Sequence, residues 1–380
     1  MQLIDLGAQR ERLGDRLKTA IDRVVKGGRY ILGPEVTEFE EKLAAYVGVR
    51  HCVACANGTD ALLLPLYATG IGPGDAVFVP SFTFAATAEV VALAKAEPVF
   101  VDVDPHTYNI DPESLQAAIA AVRAEGRLRP RAVIPVDLFG LAADYPAISG
   151  IAEHEGLLVI EDAAQSIGGS RGGSMCGSFG TVGATSFYPA KPLGCYGDGG
   201  AMFTNDGDFA EKLRSFAFHG KGETQYDNVH VGLNSRLDTL QAAILIEKLA
   251  ILEEEMQARQ KVARRYAEGL SGVVKVAQVP EGNRSAFAQF AIETAGRDML
   301  KAFLQERGIP SVIYYVKPLH QQPAYRHFPR TPSGLPVSEG LPERILCLPM
   351  HPYLTEADQD LIIAAIADFH ASNPARLAAE

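Results

Sequence analysis

The strongest constraint on the fold is a regular alternation of short apolar runs with helix-like segments in the first half of the chain. Apolar runs rich in Val, Ile and Phe occupy residues 76–79, 98–103, 131–138 and 157–161. Helical spacing of apolar residues marks the intervening segments, which are residues 83–96, 112–124 and 144–155. This order is typical of successive βα units, whose strands lie parallel in one sheet covered by helices. With two more strand-like runs at 182–187 and 199–204, the sequence predicts an α/β fold.

Helical patterns lie on both sides of this region. From Leu6 to Val47 the pattern breaks at Gly27-Gly28 and restarts after Gly33-Pro34, where the proline suits the first turn of a helix. A second long helical pattern covers about 235–270. A helix of that length is suited to bridging two domains.

The last third of the chain has a different pattern, which predicts a second and smaller domain. Alternation at 287–294 is followed by a helix-like segment at 297–307 and a strand-like segment at 311–316. This mixture is typical of an α+β unit. We therefore expect an N-terminal arm and a large α/β domain over residues 1–250, and a bridging helix with a small C-terminal α+β domain over residues 251–380.

Composition argues against several classes of function. The 35 Lys and Arg residues against 46 Asp and Glu residues give a net charge of −11, which opposes binding to nucleic acid. No run of about 18 apolar residues is present. The first residues, Met1 to Asp5, lack the layout of a signal peptide, so we expect a cytoplasmic protein without membrane insertion.

The five cysteines are too few and too scattered for a disulfide framework. Cys52 and Cys55 have the spacing of a redox or zinc site, but no second pair and no His-x-x-x-His completes four ligands. We therefore expect no metal site and interpret the two residues as buried thiols packed on a strand.

Two segments place polar groups where a strand ends or a helix begins. Asn57-Gly58-Thr59-Asp60 opens a helix, whose free N–H groups suit a phosphate. An ordinary turn with Thr59 or Asp60 as the helix cap is the alternative. Asp162 follows an apolar strand, at the edge where parallel sheets bind ligands. A carboxylate there would keep a pyridine nitrogen protonated, and a helix cap or loop carboxylate is the alternative.

Two further segments carry a lysine and an amide. Pro189 and Pro192 flank Lys191 and favour a fixed loop around it. A lysine near cationic or apolar neighbours can lose its proton at neutral pH and attack a carbonyl carbon, although most lysines are simply solvated. Asn234 and Ser235 open the second long helical pattern, where either residue would serve as a helix cap.

In this order and spacing the four segments resemble the fold-type I pyridoxal 5'-phosphate (PLP) sugar aminotransferases of the DegT/DnrJ/EryC/StrS family. The similarity runs from about Ile4 to Tyr353 and covers most of the chain. The motifs that carry it are Tyr30-Ile-Leu-Gly-Pro34, Pro80-Ser-Phe-Thr-Phe84-Ala-Ala-Thr87, Glu161-Asp-Ala-Ala-Gln165, Asn234-Ser-Arg-Leu-Asp238 and Leu348-Pro-Met-His-Pro352. The resemblance implies a mostly parallel seven-stranded sheet flanked by helices, and PLP as the cofactor.

The resemblance also implies roles for individual residues. Lys191 would form the covalent link to PLP and move a proton between substrate and cofactor. Asp162 would pair with the pyridine nitrogen, and Gln165 would bond the phenolic oxygen. Phe84 would stack on the ring, with Phe82 as the second choice. The residues implied to hold the phosphate are Gly58, Thr59, Ser186 and, from the other subunit of a homodimer with shared active sites, Asn234.

The lysine also separates aminotransferases of this family from its sugar dehydratases, which have His at that position. Lys191 therefore implies transamination, with L-glutamate as the donor and a nucleotide-linked ketosugar as the acceptor. The run Gly-Asp198-Gly-Gly resembles the subgroup that aminates C-3 of UDP-2-acetamido-3-keto-hexuronic acids for surface polysaccharides such as O-antigen. The residues implied to lie near the substrate are Tyr30, Arg236, Tyr314, Tyr315 and His320.

One departure and three alternatives qualify this interpretation. The subgroup has a His-Tyr pair where this chain has Tyr314-Tyr315. Within the class, the alternative is C-4 or C-3 amination of a UDP- or dTDP-linked 6-deoxy ketosugar. An oxidoreductase acting on sugar nucleotides would have an early Gly-x-Gly-x-x-Gly, which the sequence lacks. A noncatalytic regulatory relative is disfavoured by the presence of Lys191 and Asp162.

Overall fold

The computed structural model describes residues 1–224 and 226–373 of the chain. Its strands within these residues are β1 (His51–Cys55), β2 (Asp75–Pro80), β3 (Glu97–Val101), β4 (Arg129–Val133), β5 (Leu158–Asp162), β6 (Ser170–Arg171), β7 (Ser174–Met175), β8 (Val182–Ser186), β9 (Gly200–Thr204), β10 (Lys275–Val276), β11 (Asn283–Arg284), β12 (Phe290–Glu293) and β13 (Ile345–Leu348). Its α-helices are α1 (Leu6–Leu13), α2 (Asp15–Gly27), α3 (Pro34–Val47), α4 (Gly58–Ala68), α5 (Ala86–Leu93), α6 (Pro112–Glu125), α7 (Tyr145–Glu155), α8 (Gly207–Ala217), α9 (Thr239–Leu249), α10 (Leu252–Gly269), α11 (Arg297–Glu306), α12 (Pro336–Arg344) and α13 (Glu356–Ser372).

The largest sheet contains seven strands in the order β1-β9-β8-β5-β4-β2-β3. Strand β9 runs antiparallel to β1 and β8, and the other neighbouring strands pair in parallel. Helices cover both faces, which is why the central residues of the parallel strands β2, β3 and β5 are apolar and buried. In β5, Val159 packs against the cluster that includes α6 and α7, whereas Ile160 packs on the opposite face against α4 and α5. The predicted α/β fold with a mostly parallel seven-stranded sheet is therefore confirmed.

The helix boundaries in the N-terminal arm follow from glycine and proline. Helix α2 ends at Gly27 and is followed by Gly28 in the left-handed region, with φ 67°. Helix α3 begins with Pro34 at its first position, so both predicted boundaries are confirmed. A further break at Gly14, with φ 54°, separates α1 from α2.

A second, antiparallel sheet of β10, β12 and β13 lies in the C-terminal part of the chain. Helices α10, α11 and α13 pack on it around Tyr266, Leu300 and Ile366, which are fully buried. The predicted α+β character of this part is confirmed. The predicted boundary at residue 250 falls between α9 and α10, but the division into two domains stays a prediction because β11 pairs with β6 across it. Residues 374–380 of the predicted second domain lie outside the described residues.

The predicted single helix over 235–270 is wrong, because the structure has two helices there. Helix α9 begins only at Thr239 and ends at Leu249, and α10 begins at Leu252. At the break, Ile251 packs into one apolar cluster with α2, whereas the adjacent Leu252 packs into another with α3. The break therefore allows two consecutive apolar residues to be buried in different parts of the core.

Two predicted strands are also wrong in extent. The strand predicted at 131–138 ends at Val133 as β4, because Pro135 has no N–H to continue the ladder and Val136 forms only an isolated bridge with Asp162. The segment predicted as a strand at 311–316 forms only an isolated bridge between Val312 and Cys347. After this bridge the chain packs its tyrosines into an aromatic cluster, described below.

The cysteines and the helices bear on the expectations from composition. Cys52 and Cys55 are buried free thiols on β1, as expected, and burial raises the pKa of both.

None of the helices in the described part of the chain combines the length and the apolar character needed to cross a bilayer.

Candidate functional site

The carboxyl ends of several parallel strands bring the predicted site residues to one edge of the main sheet. Strand β5 ends at Asp162 and β8 ends at Ser186. Strand β1 leads through Asn57 into α4, and β2 leads into the segment that carries Phe84. Parallel sheets bind ligands at this edge, because the loops that follow the strands diverge there.

Asp162 is buried at this edge and is held by two donors. The backbone N–H of Ala164 donates to its Oδ1 at 3.2 Å, and the Thr87 hydroxyl donates to its Oδ2 at 3.1 Å. Burial raises the pKa of Asp162 to about 6, while the charge of Lys191 acts in the opposite direction. The carboxylate is therefore fixed in position and is available as a partner for a cation.

Lys191 lies in the loop after β8, close enough to Asp162 for the two charges to interact. Its backbone N–H donates to the carbonyl of Tyr188 at 2.9 Å, which closes a turn that contains Pro189. Burial lowers the pKa of Lys191, and the negative charge of Asp162 raises it. The amine can therefore lose its proton more readily than a solvated lysine, as a nucleophile requires.

The N-terminus of α4 forms a small cradle against β8. Asn57 caps the helix by accepting the Asp60 N–H at 2.8 Å, so neither Thr59 nor Asp60 is the cap. A Cβ on Gly58 would lie 2.5 Å from the Cβ of Ser186, which means that only glycine allows this approach. The free N–H groups of the first helical turn and the Ser186 hydroxyl are suited to an anion.

Aromatic side chains form one wall of the site. Rings of Phe82, Phe84 and Tyr314 lie 5.8, 6.4 and 5.7 Å from the ring of Tyr315. The amide of Gln165 is fixed on both sides: its Oε1 accepts the Phe139 N–H at 2.8 Å, and its Nε2 donates to the Tyr315 hydroxyl at 3.4 Å. Phe82 is buried, whereas Phe84 is 57% exposed, so Phe84 presents the open ring face.

The segment with Asn234 lies beside the cradle without capping a helix. The cap expected from Asn234 or Ser235 is wrong, because α9 begins at Thr239. The Ser235 hydroxyl instead donates to Asp60 at 2.6 Å and accepts the Ala56 N–H at 3.1 Å. Asn234 itself is exposed. This segment therefore stabilises the N-terminus of α4 through Ser235, which the sequence did not indicate.

The remaining residues expected near the substrate lie in different settings. The Arg236 guanidinium lies 5.0 Å from the ring centre of Phe218 and forms no ion pair within the described residues. Tyr30 is half-exposed, and its carbonyl accepts the Thr239 N–H at 2.9 Å. His320 is buried, and both of its ring nitrogens already have partners, Ser81 at 2.6 Å and Glu339 at 3.0 Å.

Behind Asp162 lies a pair of buried carboxyl groups that sequence reasoning missed. Asp137 accepts hydrogen bonds from Ser166 at 2.7 Å and Tyr145 at 2.9 Å, and Glu161 accepts the Phe179 N–H at 2.7 Å. Burial raises the pKa of Glu161 far above its ordinary value. Burial also raises the pKa of Asp137, so both carboxyl groups hold a proton more readily than they would in water. The Asp137 N–H donates to the Asp162 carbonyl at 3.1 Å, which ties the pair to the site.

Comparison with known proteins identifies the class. The model of the DegT/DnrJ/EryC1/StrS aminotransferase family matches residues 11–367, so the chain belongs to this family. UDP-2-acetamido-2-deoxy-3-oxo-D-glucuronate aminotransferase of Pseudomonas aeruginosa is 47% identical to it over 97% of this chain and 100% of the relative.

Solved structures agree with this assignment. A DegT DnrJ EryC1 StrS aminotransferase from Brucella abortus has 71% identity and a TM-score of 0.97, covering 97% of this chain and 99% of that one. DesV of S. venezuelae, solved in complex with a ketimine intermediate, has 37% identity and a TM-score of 0.92, covering 97% and 98%. The expectation of a PLP-dependent aminotransferase of fold type I is therefore confirmed.

The residues at the sheet edge fit PLP chemically. The cradle between Gly58 and Ser186, which a Cβ would fill, suits a phosphate. The buried carboxylate of Asp162 suits a protonated pyridine nitrogen, and the amine of Lys191, with its lowered pKa, suits an aldehyde.

Replacement of Asp162 by Asn should impair catalysis without impairing folding. The pKa of Asp162 is about 6 in the folded chain against an ordinary value of 3.8, so its ionised form costs stability above pH 6. At pH 7.5 we expect the cofactor-free Asp162→Asn protein to melt at the same temperature as the wild type or at a higher one. At pH 5 the difference in melting temperature between variant and wild type should be smaller. Turnover should fall by about 10²-fold or more, because the amide cannot keep the pyridine nitrogen protonated. A variant that unfolds, or one that keeps full turnover, contradicts this assignment.

Proposed function

We propose that this enzyme transfers an amino group from L-glutamate, through PLP, to a nucleotide-linked ketosugar, with Lys191 as the catalytic residue. The observation that carries the proposal is the position of Lys191, which lies partly buried near the buried Asp162 at the carboxyl edge of the sheet. Burial favours a neutral amine, which can attach to the cofactor and, once released, accept and return a proton at its Nζ.

The other residues would position the cofactor. Bound PLP draws electrons from the carbon that loses or gains a proton, provided that its pyridine nitrogen is protonated. Asp162 would pair with this nitrogen, while Gln165 would donate its amide N–H to the phenolic oxygen. Phe84 would cover one face of the ring. The residues proposed for the phosphate are Gly58, Thr59, Ser186 and the Asn234 side chain of a second subunit.

The proposed acceptor is a UDP-linked 2-acetamido-3-keto-hexuronic acid, aminated at C-3 for surface polysaccharide synthesis such as O-antigen, in the cytoplasm. The 47% identical relative supports this choice, because its name specifies such a substrate and the similarity covers both chains almost completely. A carboxylate also needs a cationic partner, and Arg236 has no competing ion pair within the described chain. The other side chains proposed near the sugar are Tyr30, Tyr314, Tyr315 and His320.

We further propose a homodimer with shared active sites. Tyr226 and Val231, in the loop before Asn234, are 89% and 94% exposed. Phe84 and Tyr188, at the mouth of the site, are also exposed. A group of large apolar side chains left in water is typical of a surface that another protein covers. A second copy of the chain would bury them and bring its Asn234 to the site.

The attachment of the cofactor can be located directly. Borohydride reduction of the PLP-loaded protein, followed by digestion and mass spectrometry, should find the cofactor on Lys191. Lys191→Ala should lose the reducible linkage. Lys248 is an internal comparison, because burial also lowers its pKa, to about 8. Finding the cofactor on Lys248 or on any other lysine would show that the central assignment is wrong.

Sharing of the sites can be tested by mixing two inactive variants. After exchange of subunits between Lys191→Ala and Asn234→Ala proteins, half of the dimers are mixed and each mixed dimer has one intact site. Activity should therefore recover to about a quarter of the wild-type value. Mixing each variant with itself is the control. If exchange is demonstrated and no activity returns, Asn234 serves its own subunit.

Substrate choice can be tested at Arg236. A guanidinium binds a carboxylate through two parallel charge-assisted hydrogen bonds. Arg236→Ala should therefore lower kcat/KM for a UDP-linked 3-keto hexuronate by about 10- to 100-fold, and lower it much less for the matching uncharged 3-keto sugar. Equal losses for both substrates would assign Arg236 to the fold or the cofactor. Amination of 4-keto sugars alone would contradict the proposed substrate.

A further inference from the structure

Two side chains of helix α9 hold the loop that follows Lys191. Gln241 and Lys248 are seven residues apart, which is about two helical turns, so they lie on the same face of α9. Both reach the segment from Gly194 to Tyr196, in the same loop as Lys191. Neither residue was indicated by the sequence motifs.

Gln241 binds the backbone of the loop on both sides of one residue. Its Oε1 accepts the Tyr196 N–H at 2.8 Å, and its Nε2 donates to the Tyr196 carbonyl at 3.1 Å. This pair of hydrogen bonds replaces the pairing that a strand neighbour would supply. It fixes the position and the orientation of the peptide groups around Tyr196.

Lys248 binds the loop at a second point. Its Nζ donates to the Gly194 carbonyl at 2.6 Å and lies 4.3 Å from the ring centre of Tyr196. The side chain is 1% exposed. A buried ammonium with only a carbonyl and an aromatic ring as close partners is an expensive arrangement, so its presence calls for a reason beyond packing.

Negatively charged groups compensate the charge of Lys248 only weakly. The ammonium forms no ion pair in the part of the chain that the structure describes, and the carboxylate that acts on it, Glu255, is itself hydrogen-bonded by Gln9 and Tyr353. Burial lowers the pKa of Lys248 to about 8, and Cys195 is the other titratable neighbour. Because this pKa lies below the ordinary value of 10.5, the charged form destabilises the fold near neutral pH.

The segment from Gly194 to Tyr196 packs against the backbone on the N-terminal side of Lys191. A Cβ on Gly194 would lie 2.5 Å from the Pro189 carbonyl oxygen, so the loop folds back tightly on the residues before the lysine. The Cys195 N–H donates to the Phe187 carbonyl at 2.8 Å, which closes the loop at its base. A shift of Gly194 therefore moves the backbone that carries Lys191.

We propose that Lys248, together with Gln241, is a positioning residue for the reaction: it fixes the Lys191 loop from α9 and so keeps the reactive amine in its partly buried, aligned position. The inference rests on the proposed role of Lys191 as the attachment residue. It gives a reason for a destabilising buried lysine on this face of α9.

The test uses Lys248→Met in the full-length, PLP-loaded protein, with absorbance of the bound cofactor followed across pH. Loosening the loop admits water to Lys191, so the apparent pKa of the lysine-cofactor linkage should rise by about one pH unit. Cofactor loss on dialysis should be faster. Turnover at saturating substrate should fall by about 10- to 100-fold, as expected for a misplaced catalytic group. The melting temperature of the cofactor-free variant should stay within about 3 °C of the wild type or rise.

Three comparisons make the result specific. Lys42→Met, at an exposed lysine paired with Glu38, should change none of these readouts. Lys248→Arg, which keeps the charge and the donor, should restore part of the linkage pKa. Gln241→Met should shift this pKa upward by a smaller amount, and it serves as the primary variant if Lys248→Met fails to fold.

The inference would be overturned if the folded variants showed the wild-type pKa of the lysine-cofactor linkage and lost the cofactor on dialysis at the wild-type rate. If the cofactor is then still found on Lys191, the proposed function stands and only the role of α9 fails. If the cofactor is found elsewhere, the assignment of Lys191 itself is the one that fails.

Discussion

The constraint on which the rest of the site depends is the pair formed by the buried carboxyl group of Asp162 and the partly buried amine of Lys191, whose charges act on each other. Burial pushes the two pKa values toward each other, so that each group is closer to neutrality than it would be in water. Such a pair is costly to bury, and its surroundings compensate with hydrogen bonds from Thr87 and the Ala164 backbone. The sheet edge supplies this position because β5 and β8 are parallel neighbours, with Asp162 at the end of β5 opposite Ala184 near the end of β8.

Two further sets of contacts hold Asp162 and Lys191 in place. Beneath the strand end, the buried carboxyl groups of Asp137 and Glu161 accept hydrogen bonds from the backbone N–H groups of Ala143 and Gly177. Helix α9 contacts the loop that follows Lys191 through Gln241 and Lys248. The reactive groups are thereby held by regular elements even though Lys191 itself lies on a loop, which is how a loop residue can be placed accurately.

Much of the fold could be predicted because its signals are local. The βα alternation, the Gly28 and Pro34 boundaries and the acidic end of β5 are each written in a few consecutive residues. The errors arose where tertiary contacts decide the outcome: the helix break at Ile251 depends on two separate clusters, and the segment after Val312 is set by aromatic packing. The same holds for the site, where Lys191 and Asp162 lie in motifs, whereas Lys248 lies within an ordinary amphipathic helix pattern.

The approach of Gly58 to Ser186 has a consequence for stability as well as for binding. These residues are far apart in the sequence, and they meet with no space for one extra carbon only when β1, β9 and β8 have all paired in register. An anion held between them binds the finished sheet and has no comparable site in the unfolded chain. A cofactor that binds only the native state increases the free energy of unfolding. The loaded protein should therefore be more resistant to unfolding the more tightly it binds the cofactor.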